Sequence, residues 1–117
     1  MDAGRVLVIA PDLELRDSVA FSLGAHGYQV VAVSHMQDAG TDDQFDCFLI
    51  DEPALGAASD AWQSFGAGKT PVLLMAYSQA ARGQTGFQGI VDKPLRGEDV
   101  VQAVFGAISA KAALELP

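Results

Sequence analysis

Short apolar runs alternate with amphipathic stretches along most of this 117-residue chain. Arg5-Val6-Leu7-Val8-Ile9-Ala10 is a β-rich run of the kind that forms a strand buried on both faces. Asp12 then stands where a helix cap belongs. The helix it opens is predicted from Leu13 to Ala25, with Leu15, Val19 and Leu23 recurring at spacing four. His26-Gly27 closes it, and Tyr28 to Val33 reads as a second strand. Ser34, with Gln37 three residues later, has the form of a capping box for a brief helix to about Ala39. An acidic loop, Gly40 to Gln44, leads to a third strand from Phe45 to Asp51, which ends in the acidic pair Asp51-Glu52.

Pro53 to Ala58 reads as loop, and Ser59 to Phe65 as a helix stopped by Gly66-Ala67-Gly68. Pro71 to Ala76 is a fourth apolar strand. Ser78 to Gln88 is poor in large apolar residues and rich in glycine, which leaves room for one helical turn at most. Gly89-Ile90-Val91 is a very short fifth strand. A last helix is predicted from Gly97 to about Leu114, apolar at Val100, Val101, Val104, Phe105 and Ile108. Short apolar strands alternating with helices imply an α/β domain, a parallel sheet covered on both sides. In such sheets function sits beyond the carboxyl ends of the strands. Here those ends are Ala10-Pro11-Asp12, Asp51-Glu52, Ala76-Tyr77-Ser78 and Asp92-Lys93-Pro94.

Composition narrows the choice. Half the residues are hydrophobic and 19% are charged, so a packed core is available and one domain over 1–117 is expected. Seven Lys and Arg against 15 Asp and Glu give a net charge of −8, which argues against nucleic acid or an anionic membrane as partner. No apolar run approaches the roughly 20 residues a membrane helix needs, and Met1-Asp2-Ala3-Gly4-Arg5 lacks the pattern of a secretory signal. A single cysteine, Cys47, excludes an internal disulfide; a cytoplasmic location is expected. His26 and His35 have no metal-ligating company, Ser18 and Ser22 have no base nearby, and no glycine-rich phosphate loop occurs.

Taken in order, the strand-end residues resemble a response-regulator receiver domain, the phosphoacceptor half of two-component signalling. Val6-Leu7-Val8-Ile9, Asp12 and Leu15-Arg16 resemble that family's first strand and helix. Phe48-Leu49-Ile50-Asp51 with Leu55-Gly56 resembles the strand that carries the phosphorylated aspartate. Pro71-Val72-Leu73-Leu74-Met75 resembles the fourth strand, and Lys93-Pro94-Leu95 the Lys-Pro pair after the fifth. The match covers about residues 5–110, with 111–117 as a possible linker to an output domain. It implies a flavodoxin-like, doubly wound sheet of five parallel strands in the order 2-1-3-4-5, with the first and last helices on one face. The usual fourth helix should be shortened or missing, because the segment from Ala76 to Lys93 is short by roughly five residues.

The resemblance also implies chemistry. An aspartate accepts a phosphoryl group, magnesium held by it and an acidic pair offsets charge, and a hydroxyl and a lysine bind the phosphoryl oxygens. Asp51 matches the phosphoacceptor and Lys93 the lysine. The acidic pair falls on Ala10 and Pro11, the hydroxyl on Ala76, and the aromatic switch on Ile90. Asp12 and Glu52 are the remaining candidates for a metal ligand. The expectation is a non-enzymatic pseudo-receiver with no resident cofactor, in which Lys93 pairs with Asp51. It would act by contact with a protein partner: a histidine kinase, an output domain or a second copy in a homodimer. The alternative is a working phosphorelay receiver that holds Mg2+ in a non-standard site and is phosphorylated on Asp51. A ligand-binding domain of the same fold is a third class, without support beyond the fold.

Overall fold

A computed structural model describes residues 3–39, 45–54, 70–77, 87 and 89–115. Its elements are β1 (Gly4–Ile9), α1 (Leu13–Ala25), β2 (Tyr28–Val33), β3 (Cys47–Asp51), β4 (Val72–Ala76), β5 (Gly89–Asp92) and α2 (Gly97–Glu115). Single 3-10 turns cover Met36–Ala39 and Glu52–Ala54. The strands are all parallel and form one sheet in the order β2-β1-β3-β4-β5, as expected.

Local chemistry sets the boundaries of α1. The Asp12 carboxylate accepts the Glu14 N–H at 3.0 Å and caps the first turn. At the other end Gly27 takes φ +91°, a left-handed conformation in which a side chain is strained. Alternation along the central strands then splits the core in two. Val6, Val8, Leu49 and Met75 pack under Val19 and Leu23 of α1 and Val100 and Val104 of α2, so the first and last helices share a face. Leu7, Ile9, Phe48, Ile50 and Leu74 form the second core, with Phe45 and Phe87. Both faces of β1, β3 and β4 are buried, which is why these strands read as continuous apolar runs. The two helices meet closely at their crossing: a Cβ on Gly97 would collide with the Ser22 hydroxyl oxygen and lie 3.1 Å from Ser22 Cβ.

Three local expectations are revised. β3 begins at Cys47 rather than Phe45, because Asp46 is engaged otherwise: its N–H donates to the Arg5 carbonyl (2.7 Å) and its carboxylate accepts the Arg5 N–H (2.8 Å). The start of the expected loop at Pro53 is a 3-10 turn. A shortened fourth helix is expected to uncover apolar side chains of the neighbouring strands such as Ile90 and Leu74; Leu74 is instead fully buried among Leu7, Ile50 and Phe48, whereas Ile90 on β5 is 44% exposed. The expected helix at 59–65, the loop at 40–44 and the segment 78–86 that bears on the fourth helix lie outside the described residues. α2 continues through Lys111 to Glu115, into the stretch read as a possible linker.

Candidate functional site

Asp51 is the last residue of β3, the central strand, and its register partner on β4 is Met75. Apolar neighbours on both sides bury it, and its side chain is only 3% exposed. Lys93 follows β5. Its backbone N–H donates to the Ala76 carbonyl at 2.9 Å, which ties it to the end of β4 and lets its side chain cross that strand. The Lys93 ammonium lies 2.5 Å from Asp51 Oδ1, and its side chain is 15% exposed. The contact is an ion pair at short range; its angles are not those of a hydrogen bond, and Oδ1 accepts none among the described residues. On its outer side the ammonium faces the ring of Tyr77, 5.8 Å from the centroid, within the range of a cation–π contact. The order from the interior outward is therefore carboxylate, ammonium, aromatic ring.

The neighbouring strand end is occupied differently. Ala10 is fully buried and contributes a methyl group, and Pro11 contributes a ring, so neither side chain offers an oxygen. Their carbonyls are turned toward Arg16 on α1, which donates to Ala10 O at 2.8 Å and more weakly to Pro11 O at 3.5 Å. Asp12 is exposed and spends an oxygen on the helix cap. Its surroundings are a separate groove of about 350 Å³ between α1 and the start of α2, lined by Glu14, Ser18, Ser22, Leu95 and Gly97. Glu52 is half-buried in the 3-10 turn that follows Asp51. Among the described residues, no three His, Cys, Asp or Glu side chains gather closely enough to hold a metal ion.

The structure thus brings together Asp51 and Lys93 as side chains, and Ala76 through its backbone. Ala76 itself is buried and inert, and Ile90 stands apart on the sheet edge. Two contributors were not read from the sequence. Tyr77 carries no motif, but an aromatic one residue beyond a strand end, opposite a lysine, was a usable signal. Arg16 was noted only as part of a motif; its position one turn into α1 was the signal for a strand-end contact. Away from the site, burial pushes the Cys47 thiol up to about 12 and raises the Tyr28 hydroxyl as well.

No protein-family model and no curated protein sequence matches the chain. Solved structures do. NtrX from Brucella abortus, in complex with ADP, superposes with a TM-score of 0.78 at 16% identity, over 97% of this chain and 28% of that one. The receiver domain of a sensor histidine kinase from Pseudomonas aeruginosa, with a magnesium ion coordinated in its active-site cleft, gives 0.77 at 17% identity, over 91% of this chain and 98% of its own. A response-regulator-receiver-modulated diguanylate cyclase from Pelobacter carbinolicus gives 0.76 at 16% identity, over 94% and 96%. The fold is that of response-regulator receiver domains.

Proposed function

We propose that this domain is an atypical receiver: a signalling module that regulates a protein partner or an attached output domain by contact, with the magnesium-dependent phosphoryl switch impaired. The observation that carries this reading is the closed Asp51–Lys93 pair. Receiver chemistry needs a carboxylate that is open to an incoming phosphoryl group and a divalent cation that offsets its charge. Here Lys93 already neutralises Asp51 from 2.5 Å. A hard cation takes about six oxygen ligands, several from carboxylates. At the end of β1 the side chains are a methyl and a pyrrolidine, and the carbonyls are engaged by Arg16. These residues do not fit magnesium.

Contact is the function left to such a domain. Tyr77 is 59% exposed above Lys93 and presents its ring beside the pair. A partner seated there would meet apolar surface of the kind that marks interfaces. The competing reading is a working phosphorelay receiver. Among the described residues Asp51 Oδ1 accepts no directed hydrogen bond, and a receiver of the same fold coordinates magnesium in its cleft; these two facts favour it. Incubation with acetyl phosphate and magnesium separates the two. The atypical receiver keeps its intact mass. A gain of one phosphoryl group, absent from Asp51→Ala, overturns the proposal in favour of the working receiver.

A further inference from the structure

The two edges of the sheet are built differently. β5 has four residues, and its exposed end is the charged Asp92, a pattern that discourages pairing with other strands. β2 has six residues, Tyr28-Gln29-Val30-Val31-Ala32-Val33, with no charge and no proline. Its one sheet neighbour among the described residues is β1.

The hydrogen bonding of β2 shows which of its groups face β1 and which face away from it. The Val33 carbonyl accepts the Ala10 N–H at 3.0 Å, so Val33 directs its backbone toward β1. Successive residues of a strand direct their N–H and C=O to opposite sides. Gln29 and Val31 therefore also bond inward, and Tyr28, Val30 and Ala32 direct both groups to the outer edge. α1 leaves room above that edge. Its Ser22 flank abuts Gly97 of α2, so the helical period places Ala20 and Gly24 on the opposite flank, over β2. Both are small, and a Cβ on Gly24 would meet nothing within 4 Å.

We propose that β2 is a self-association edge, on which a second copy of this chain pairs antiparallel and joins two five-stranded sheets into one of ten. The three outward residues determine the register. Val30 lies opposite Val30 of the second copy, and Tyr28 opposite Ala32, so that each pair exchanges two hydrogen bonds about a two-fold axis. Charge favours the same edge. Each copy carries −8, so two copies repel over most approaches, and the strand β2 itself carries no acid, Asp17 on the α1 flank above it being the acid of that side. The seam is short compared with the roughly 800 Å² per partner of a standard interface, so the dimer is weak, with a Kd on the order of 10–100 μM.

Sedimentation of the intact chain from about 5 to 500 μM tests this, a range that spans that affinity. The expected result is a monomer of 12.2 kDa that passes to twice that mass with concentration. Ala32→Pro removes an outward N–H without touching the β1 ladder. Val31→Lys sets two like charges diagonally across the seam. Each should weaken association at least about tenfold, with the helical and strand signal in circular dichroism retained. Ile90→Lys, on the far edge, should leave it unchanged. Val30→Cys should form a dimer on oxidation, because a hydrogen-bonded pair sets its Cα atoms about 5.5 Å apart, within disulfide reach. Monomer mass at every concentration overturns the proposal. So does a dimer that survives both β2 variants, or one that dissolves with Ile90→Lys.

Discussion

Removing the Asp51 carboxylate is the sharpest probe of how the strand-end pocket is built. Asp51→Ala leaves the Lys93 ammonium beneath Tyr77 without the carboxylate it pairs with. Breaking a buried ion pair from one side costs about 3–5 kcal/mol. The two partners differ in how far they can escape. Lys93 is 15% exposed on a four-carbon stem, so its head can swing toward water once released. Asp51 is 3% exposed on a short stem at the centre of the sheet and cannot. Asp51→Ala is therefore placed at the low end, about 3 kcal/mol, and Lys93→Met, which keeps the covering stem, at the high end, about 5 kcal/mol. The double variant should cost clearly less than the sum, because neither charge is left unpaired. Urea unfolding followed by circular dichroism measures all three, and Asp51→Ala should lower Tm by on the order of 10 °C. A pocket of several crowded carboxylates behaves in the opposite way, since deleting one relieves repulsion. Asp51→Ala at or above parental stability, or additive single variants, would refute the reasoning.

Gly97→Ala should destabilise by about 1–3 kcal/mol through overpacking against Ser22, and Ser22→Gly should recover most of the loss in the same urea measurement. Cys47 is buried, so a thiol reagent should label it only as fast as the domain unfolds. Its thiol is raised from 9.0 to about 12 in the fold, so the stability it contributes is complete below pH 9 and is lost as pH rises toward 12. Cys47→Ala should flatten that alkaline limb although it lowers stability at neutral pH, and a limb of unchanged slope would count against the assignment.

The order and type of elements follow from the chain alone because each signal is local. Strands buried on both faces must be apolar at every position, and Val6–Ile9 and Val72–Ala76 are. A cap needs a short acceptor before a helix, and a left-handed exit needs glycine; Asp12 and Gly27 place α1 to the residue. Strand boundaries marked the carboxyl ends where a parallel sheet collects its chemistry, and the resemblance to receiver motifs then singled out Asp51 and Lys93 among the residues there. In the fold the Lys93 ammonium lies 2.5 Å from Asp51 Oδ1. What the chain could not disclose are contacts between elements whose approach depends on packing. Arg16 over the carbonyls of Ala10 and Pro11, Tyr77 over Lys93, and Ser22 against Gly97 each join groups from separate parts of the chain, at distances set by how those parts settle on the sheet. The fate of Leu74 and Ile90 makes the same point on neighbouring strands. They are register partners with equally apolar side chains, yet one is fully buried and the other 44% exposed, because burial depends on whether further layers and strands lie beyond, and β5 is the last strand of the sheet.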